Sequence, residues 1–463
     1  MALLIASTDN HRMEKIQQVL KSAIWVLTGL AIACTLIGIA PAQILLSLAL
    51  LSFLLDRALL YAGNESIPPV TIAQSPCSRL PAGPVETGKK GRRGGSPLSL
   101  SIDLRVTFPP IKAPLLIFMG WTLVSYFFSP ERALGRPPIN KFWLFCIPLI
   151  VASEFSRVRI LKTYYAIFAA GSLAAVLTIV QYFLLARNTI QYRVTGFMGH
   201  WMTLSGEIML VLICLAAYLV FSASKHRLLL GLLLSTLSFS LALTMTRSVW
   251  IATVTGLILL LLMRYFQLKT LLVSAVSVIL LGILAPHPIQ ERMKSVFNSG
   301  DPSNYARASI WRAGLRMVKA HPWLGVGPQR VYRVFYDYHP HPEDRYRSGF
   351  FPVHLHNNLL QFAAERGIPC ALAWLWLMVK LGVDHWTGFR HAHTTPETKS
   401  IYAIGFLAVV VLFIAGMFEF NFGDSEVLMI FLFLVSAPYV GDREQGIGDR
   451  LIKYDGHHAL STQ

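Results

Sequence analysis

Charge is what this chain has least of: 14% of its 463 residues are charged, where a soluble domain carries about a quarter. With 54% hydrophobic residues and a mean hydropathy of +0.52, that shortage excludes an ordinary cytosolic enzyme and a disordered chain, and puts the bulk of the polypeptide in lipid. Acidic residues are the scarcer sign, 24 against 41 Lys and Arg, for a net charge of +17. The basic excess punctuates apolar runs in short clusters and forms no continuous stripe, so membrane topology accounts for it and no nucleic acid partner is expected. Cysteine is sparse as well. Cys34, Cys77, Cys146, Cys214 and Cys370 stand singly, four of them in apolar runs, which excludes a disulfide framework and a cysteine zinc site. No repeat of solenoid period and no duplication of the two halves is visible.

What the chain has in abundance is long apolar runs. A helix needs about 20 such residues to cross a ~30 Å hydrocarbon core, and the runs bounded by charges, Pro or Gly predict twelve spans, near 22–40, 43–61, 113–128, 139–153, 162–186, 201–222, 228–245, 249–263, 269–285, 367–383, 400–420 and 426–440. The expected fold class is therefore all-α, a polytopic membrane protein with about twelve transmembrane helices. The first run follows Arg12, Lys15 and Lys21 but is too long for a signal peptide and lacks a cleavage site, so it reads as an uncleaved helix. Basic residues such as Arg79, Arg157, Arg159, Lys225 and Arg227 gather on the segments that an even span count places with the N-terminus, and few fall on the other short loops. Both termini are thus expected in the cytoplasm. The domain plan is a cytoplasmic N-terminus (1–21), helices one to nine (22–285), a long outer loop (286–366), helices ten to twelve (367–440) and a cytoplasmic tail (441–463). Within the first helical block, residues 63–112 form a Pro-, Gly- and Ser-rich insertion whose Lys89-Lys90-Gly91-Arg92-Arg93 run is expected to touch anionic membrane lipid.

The spans themselves hold little charge. Asp56, Arg57, Glu154, Lys380 and Glu419 fall within about a turn of a span's end, and Glu207 alone lies deeper, roughly 9 Å in at 1.5 Å per residue. Ion-coupled carriers keep ionisable groups near the midplane, so the chemistry is expected at the outer surface. There, residues 304–319 repeat Trp311, Leu315 and Val318 at helical spacing, and likewise Arg312, Arg316 and Lys319. This predicts an amphipathic helix lying on the membrane surface or against the bundle, with Trp311, Leu315 and Val318 as its apolar stripe and the basic face toward lipid headgroups. Arg307 stands near the helix start, where the dipole disfavours a cation, and calls for an anionic partner. His321-Pro322-Trp323-Leu324-Gly325-Val326-Gly327-Pro328 ends that helix, its glycines serving the reversal. A second short helix is predicted to start near Val353-His354-Leu355-His356-Asn357 and to run through Gln361 and Glu365 to Gly367, holding His356 at the membrane face. Arg247, in the short loop Thr244-Met245-Thr246-Arg247-Ser248, sits at the outer mouth as a snorkelling anchor or a functional cation.

Three of these stretches together resemble the O-antigen ligase and polysaccharide polymerase superfamily of bacterial envelope proteins. They are Thr246-Arg247-Ser248-Val249-Trp250, then Arg307-Ala308-Ser309-Ile310-Trp311 with the His321 to Gly327 turn, and finally His356-Asn357 through Glu365-Arg366-Gly367. The ligases carry His, then Asn, Ser or Gln, nine residues, Gly, two residues and Gly. His356, Asn357 and Gly367 fit that spacing, and Cys370 replaces the last Gly. The resemblance implies transfer of a glycan from an undecaprenyl diphosphate carrier to an acceptor hydroxyl, lipid A core or another glycan, on the periplasmic face of the inner membrane. It implies His356 as general base, Arg247 and Arg307 as the diphosphate-binding residues, inversion at the anomeric carbon, and neither cofactor nor metal. The outer loop 286–366 is then the periplasmic catalytic loop. Arg193 and His200, bounding Arg193-Val194-Thr195-Gly196-Phe197-Met198-Gly199-His200, and Glu207 below them are secondary candidates that contact glycan or orient Arg247, with a helix-end His and an Arg-paired Glu as the structural reading. Asn357 and Glu365 join them as secondary candidates.

Other readings remain open at this point. His339, His341, His354 and His356 include two His-x-His pairs, a metal-like pattern. However, His-x-His places both rings on one side only in extended chain, and Pro residues flank the first pair. Polymerisation of repeat units uses the same donor as ligation and differs in the acceptor. A transporter or flippase for a lipid-linked sugar or small anion is the alternative of another class, against which the uncharged spans count.

Overall fold

The computed structural model describes residues 2–65, 106–189, 192–265, 287–296, 301–339, 353–391 and 395–440, with isolated positions between 267 and 298. The basic insertion, the ninth predicted span at 269–285, His341 and the tail at 441–463 lie wholly or largely outside the described residues.

The chain builds α1 (Ala2–Cys34), α2 (Ile39–Glu65), α3 (Lys112–Phe127), α4 (Arg136–Asn140), α5 (Cys146–Glu154), α6 (Arg157–Leu184), α7 (Trp201–Phe221), α8 (Arg227–Leu243) and α9 (Arg247–Tyr265). Four helices of the outer segment follow, α10 (His287–Lys294), α11 (Pro302–Ala320), α12 (Val331–Tyr338) and α13 (Asn358–Arg366), and then α14 (Ile368–His391), α15 (Pro396–Gly416) and α16 (Ser425–Ser436). The described residues contain no strand, only an isolated bridge between Asn188 and Arg193. Among them seven helices are long and apolar enough to cross a membrane, in α1, α2, α6, α7, α9, α14 and α15, and α3, α8 and the stretch Ser425–Val440 are shorter apolar helices. The protein is an all-α polytopic membrane protein. Its outward faces carry exposed Leu54, Leu116, Leu184, Leu228, Leu372 and Val379, which is where lipid replaces water as solvent.

The two innermost helices are α7, buried continuously from Leu204 to Tyr218, and α15, which packs against it. Helices apolar on every side belong in the centre of a bundle. Small residues set the crossings: a Cβ on Gly256 of α9 would lie 2.5 Å from Val411 of α15, and one on Gly171 of α6 would lie 2.8 Å from Val211 of α7. Helix starts follow local chemistry. Ser156 caps α6 by accepting from the Arg159 N–H, and Asp301 and Thr395 cap α11 and α15 just before Pro302 and Pro396, the first-turn position that prolines favour.

Two expectations need correction. The span predicted at 139–153 is a broken segment of α4, a 3₁₀ turn and the nine-residue α5, because Pro137, Pro138 and Pro148 remove backbone donors. The amphipathic helix α11 forms as predicted but is rotated: its buried face is Ile310, Ala313, Gly314 and Met317, and Leu315 is 60% exposed. The small residues at 313 and 314 let α11 approach Leu355 and Leu360 closely, a Gly314 Cβ standing 2.8 Å from Leu355, so close packing overrides the larger side chains.

The motif turn after α11 and the end of α13 close on each other. Val326 and Gly327 N–H groups donate to Ala364 and Glu365 carbonyls, and Ile368 N–H donates to Pro322 O. Trp121 and Ser125 of α3 bond the same strip, through Trp323 O, Arg366 O and Leu324 O. Gly325 (φ +67) and Gly367 (φ +86) face each other across it, and a Cβ on Gly367 would lie 1.8 Å from Trp323 O. Both conditions admit only glycine.

A candidate active site at one end of the bundle

The starts of α7, α9 and α14 and the ends of α6, α8 and α15 all lie at one end of the bundle, beneath α10 to α13. A cavity of about 200 Å³ opens there, lined by Arg193, Trp201, Met202, Thr246, Arg247, Arg292, Ser303, Ala306, Arg307, Ile310 and His356. Four residues singled out by sequence, Arg193, Arg247, Arg307 and His356, therefore share one cavity although they are spread over more than 160 positions.

The guanidiniums differ in engagement. Arg247, the first residue of α9, donates from Nη1 to Ser295 O (2.7 Å) and Ser295 Oγ (2.8 Å), and from Nη2 to Asp301 Oδ1 (3.2 Å) and Asn304 Oδ1 (2.8 Å). It ties the outer segment to the bundle. Arg292 of α10 approaches the other Asp301 oxygen at 3.7 Å. Arg193 lies over the Trp201 ring at 5.0 Å. Arg307, one turn inside α11, has no hydrogen-bond partner among the described residues. Burial, then Arg292, Arg247 and Arg307, bring Arg193 down to about 10, and burial likewise lowers Arg292 and Arg307. All remain cations at neutral pH, so the cavity confines mutually repelling positive charge that an anion relieves.

His356 sits in the loop ahead of α13 at φ +49, a conformation uncommon outside glycine and found where a side chain is being aimed. Its Nδ1 is 3.0 Å from Glu419 Oε2. Glu419 lies in the loop between α15 and α16, 6% exposed. Burial pushes its carboxyl up, but the His356 hydrogen bond, the charge that His356 and His354 carry once protonated in acid, and the Phe420 N–H outweigh that and hold it at about 2. His354 is 3.5 Å from the same carboxylate, and burial drives its ring down to about 4, so it is neutral. Two asparagines anchor the pair of loops to each other. Asn357 caps α13 through Leu360 N–H and donates to Met417 O at 2.9 Å, and Asn358 bonds Asn421 Oδ1 and Phe422 N–H.

The remaining sequence candidates do not themselves line the cavity, although His200 adjoins its Trp201 and Met202 and lies near Arg193, His356 and Glu419. His200 accepts from Met202 N–H as the cap of α7 and stacks on Trp201, with burial lowering its pKa. Glu207 is fully buried in α7, has no hydrogen-bond partner on either oxygen among the described residues, and does not line the cavity. Glu365 accepts from Gln329 N–H and Gln361 Nε2, each at 2.8 Å, and belongs to the interlock of α13 with the motif turn. His339 bonds Ser309 at 2.8 Å, away from His354 and His356. The turn at His356 brings the rings of His354 and His356 to 4.2 Å between centroids, so extended chain is not required to put a His-x-His pair on one side. Sequence reasoning missed Glu419, which looked like a span-end charge, and Arg292, which no motif includes; neither carries a local signal, because each is recruited from a separate element.

Residues 230–375 match the family model described as O-Antigen ligase. The match covers α8 to the start of α14 and includes Arg247, Arg307 and His356. It supports the O-antigen ligase and polysaccharide polymerase superfamily, whose members are glycosyltransferase-like enzymes of polysaccharide biosynthesis acting on lipid-linked glycans. No curated protein matches the chain.

Proposed function

We propose that this protein transfers a glycan from an undecaprenyl diphosphate carrier to an acceptor hydroxyl, as an O-antigen ligase does, at the periplasmic face of the bacterial inner membrane and without a metal. The observation that carries the reading is the shared cavity. Four guanidiniums, with Asp301 and Glu419 as the neighbouring carboxylates, leave a local charge of +2, which balances a diphosphate diester at one negative charge per phosphate.

In the proposed reaction Arg307 and Arg193 bind phosphate oxygens, and Arg247 lends charge while holding Ser295 and Asn304 in place. With Nδ1 of His356 turned to Glu419, Nε2 is left for the acceptor. That hydroxyl gives its proton to Nε2 as its oxygen attacks the anomeric carbon, the carbon–phosphate oxygen bond breaks, and undecaprenyl diphosphate departs with the bonding electrons. The configuration inverts. Glu419 orients the ring and stabilises the imidazolium, the part a carboxylate plays behind a catalytic histidine, and guanidiniums already in place stabilise the charge that develops on the leaving group.

Product formation from a purified undecaprenyl diphosphate glycan, compared for wild type, Arg307→Ala and His356→Ala in detergent, tests the proposal. Loss of transfer in folded variants is expected, with general-base removal costing about 10² to 10⁴ in rate. Movement of the lipid by wild type and both variants, without product from any acceptor, would replace this reading with transport.

A further inference from the structure

The loop before α13 and the loop between α15 and α16 bring three metal-ligating side chains together. His356 Nδ1 is 3.0 Å from Glu419 Oε2, His354 Nε2 is 3.5 Å from Glu419 Oε1, and ligand atoms of the three residues all lie within 4.8 Å of one another. We propose that His354, His356 and Glu419 bind one divalent cation of the zinc class and that the bound ion silences the transfer reaction. The second half rests on His356 being the base.

Two imidazoles and a carboxylate are a donor set that zinc takes, with a fourth position left open. Bonds of about 2.0–2.1 Å in a tetrahedral centre put the donors roughly 3.3 Å apart, and each histidine already stands near that distance from one oxygen of the carboxylate, His356 at 3.0 Å from Oε2 and His354 at 3.5 Å from Oε1. The carboxylate spans both histidines, and ligand atoms that all lie within 4.8 Å of one another have at most about 1.5 Å to close to reach that geometry.

Silencing follows from where the protons go. In the metal-free pair the His356 proton sits on Nδ1, facing the carboxylate, and His354 accepts the His356 N–H at Nδ1 (3.3 Å). Coordination through His356 Nδ1 and His354 Nε2 moves one proton on each ring to the opposite nitrogen. None is gained or lost, and the 3.3 Å hydrogen bond is given up. His356 Nε2 then carries a hydrogen toward the cavity and cannot accept one from a sugar hydroxyl. The guanidiniums across the cavity repel a dication, so the affinity is expected to be roughly micromolar. For the same reason it should increase when Arg307 is removed, because that cation interacts with Glu419.

The test is calorimetric titration of ZnCl₂ into the chelator-stripped full-length protein in detergent, for wild type, His354→Gln, Glu419→Gln and Arg307→Ala, each checked by gel filtration and thermal melting. Wild-type transfer is followed at every zinc concentration. One zinc per wild-type chain is expected, weakened by more than about tenfold in the Gln variants and tightened in Arg307→Ala, with transfer falling along the wild-type binding curve. Cobalt(II) should give the visible absorption of a four-coordinate centre in wild type and lose it in both Gln variants. Equal zinc binding in wild type and the folded Gln variants overturns the site. Binding with undiminished or enhanced transfer overturns the silencing. A wild type that binds zinc at this site but makes no product in chelator upholds the site and refutes the transfer reading instead.

Discussion

Arg307 and Arg247 share a cavity but differ in their partners, and the two should fail differently when substituted. Arg307 has no hydrogen-bond partner among the described residues, so Arg307→Ala should remove ligand contacts and leave the fold intact. At ~1.5–3 kcal/mol per charge-assisted bond, kcat/KM for the lipid-linked donor should fall about 10- to 150-fold with an unchanged melting temperature. Lys at 307 should recover only part of the loss, since it lacks the planar fork. Arg247→Ala removes four hydrogen bonds that hold Ser295, Asp301 and Asn304, so it should lower both activity and stability. Glu419→Gln keeps a partner for His356 but removes the charge, and is expected to lower kcat by about 10² or more with little change in donor KM. A matching loss in both parameters would assign Glu419 to substrate binding. Arg247, Arg307 and His356 could be selected from motif and spacing, since each sits beside a helix boundary written locally. Glu419 could not, because its meaning depends on a histidine 63 positions away.

At the scale of elements, the motif turn and α13 act as one interlocked unit that holds His356 on its loop. Gly367→Ala meets Trp323 O and a positive φ at once, and should destabilise the folded protein by ~2–3 kcal/mol or more, with activity lost in proportion to the unfolded fraction in a thermal melt. Position 370 behaves oppositely. Cys370, standing where the ligase pattern has Gly, is buried in α14 with its Sγ 3.5 Å from Thr122 Oγ1 of α3, away from the cavity. Cys370→Gly should cost about 1 kcal/mol in helix propensity plus packing, and leave kcat unchanged within twofold. Helices α11 and α13 were legible from periodicity and flanking breakers. The buried face of α11 was not, because Ala313 and Gly314 matter through what approaches them.

For the whole molecule, the distribution of charge between the two ends sets the expected topology. The end opposite the cavity carries Arg157, Arg159 and Lys162 at the start of α6 and Lys225 and Arg227 at the start of α8, on short connections, and it should face the cytoplasm. Cysteine placed at Trp323, which is 71% exposed, should react with a membrane-impermeant maleimide from the periplasmic side, and cysteine at His391 only after the inner membrane is opened. The reverse pattern would invert the topology. Stability should also depend on pH through Asp424, which links the α15–α16 loop to Thr203 of α7. Burial, then Glu419 and Glu426, raise its carboxyl to about 7. The native state therefore holds a proton that the unfolded chain releases near pH 4, and the stabilisation is complete below that value and lost as pH rises toward 7. Asp424→Asn should flatten the pH 4–8 melting profile and exceed wild type above pH 7 by on the order of 2–4 kcal/mol.

The sequence by itself determined that this is a helical membrane protein, where most of its spans fall, and which three stretches resemble a glycan-transfer family, because hydropathy and helix-ending residues act over one or two turns of chain. Only the tertiary structure decided that Arg193, Arg247, Arg292 and Arg307 meet His356 in one cavity and that Glu419 stands behind it. It also decided that Glu207 and Glu365 lie outside that cavity. Those outcomes depend on which helix ends are brought together and on the close approaches that small residues permit, and neither is encoded within any single segment.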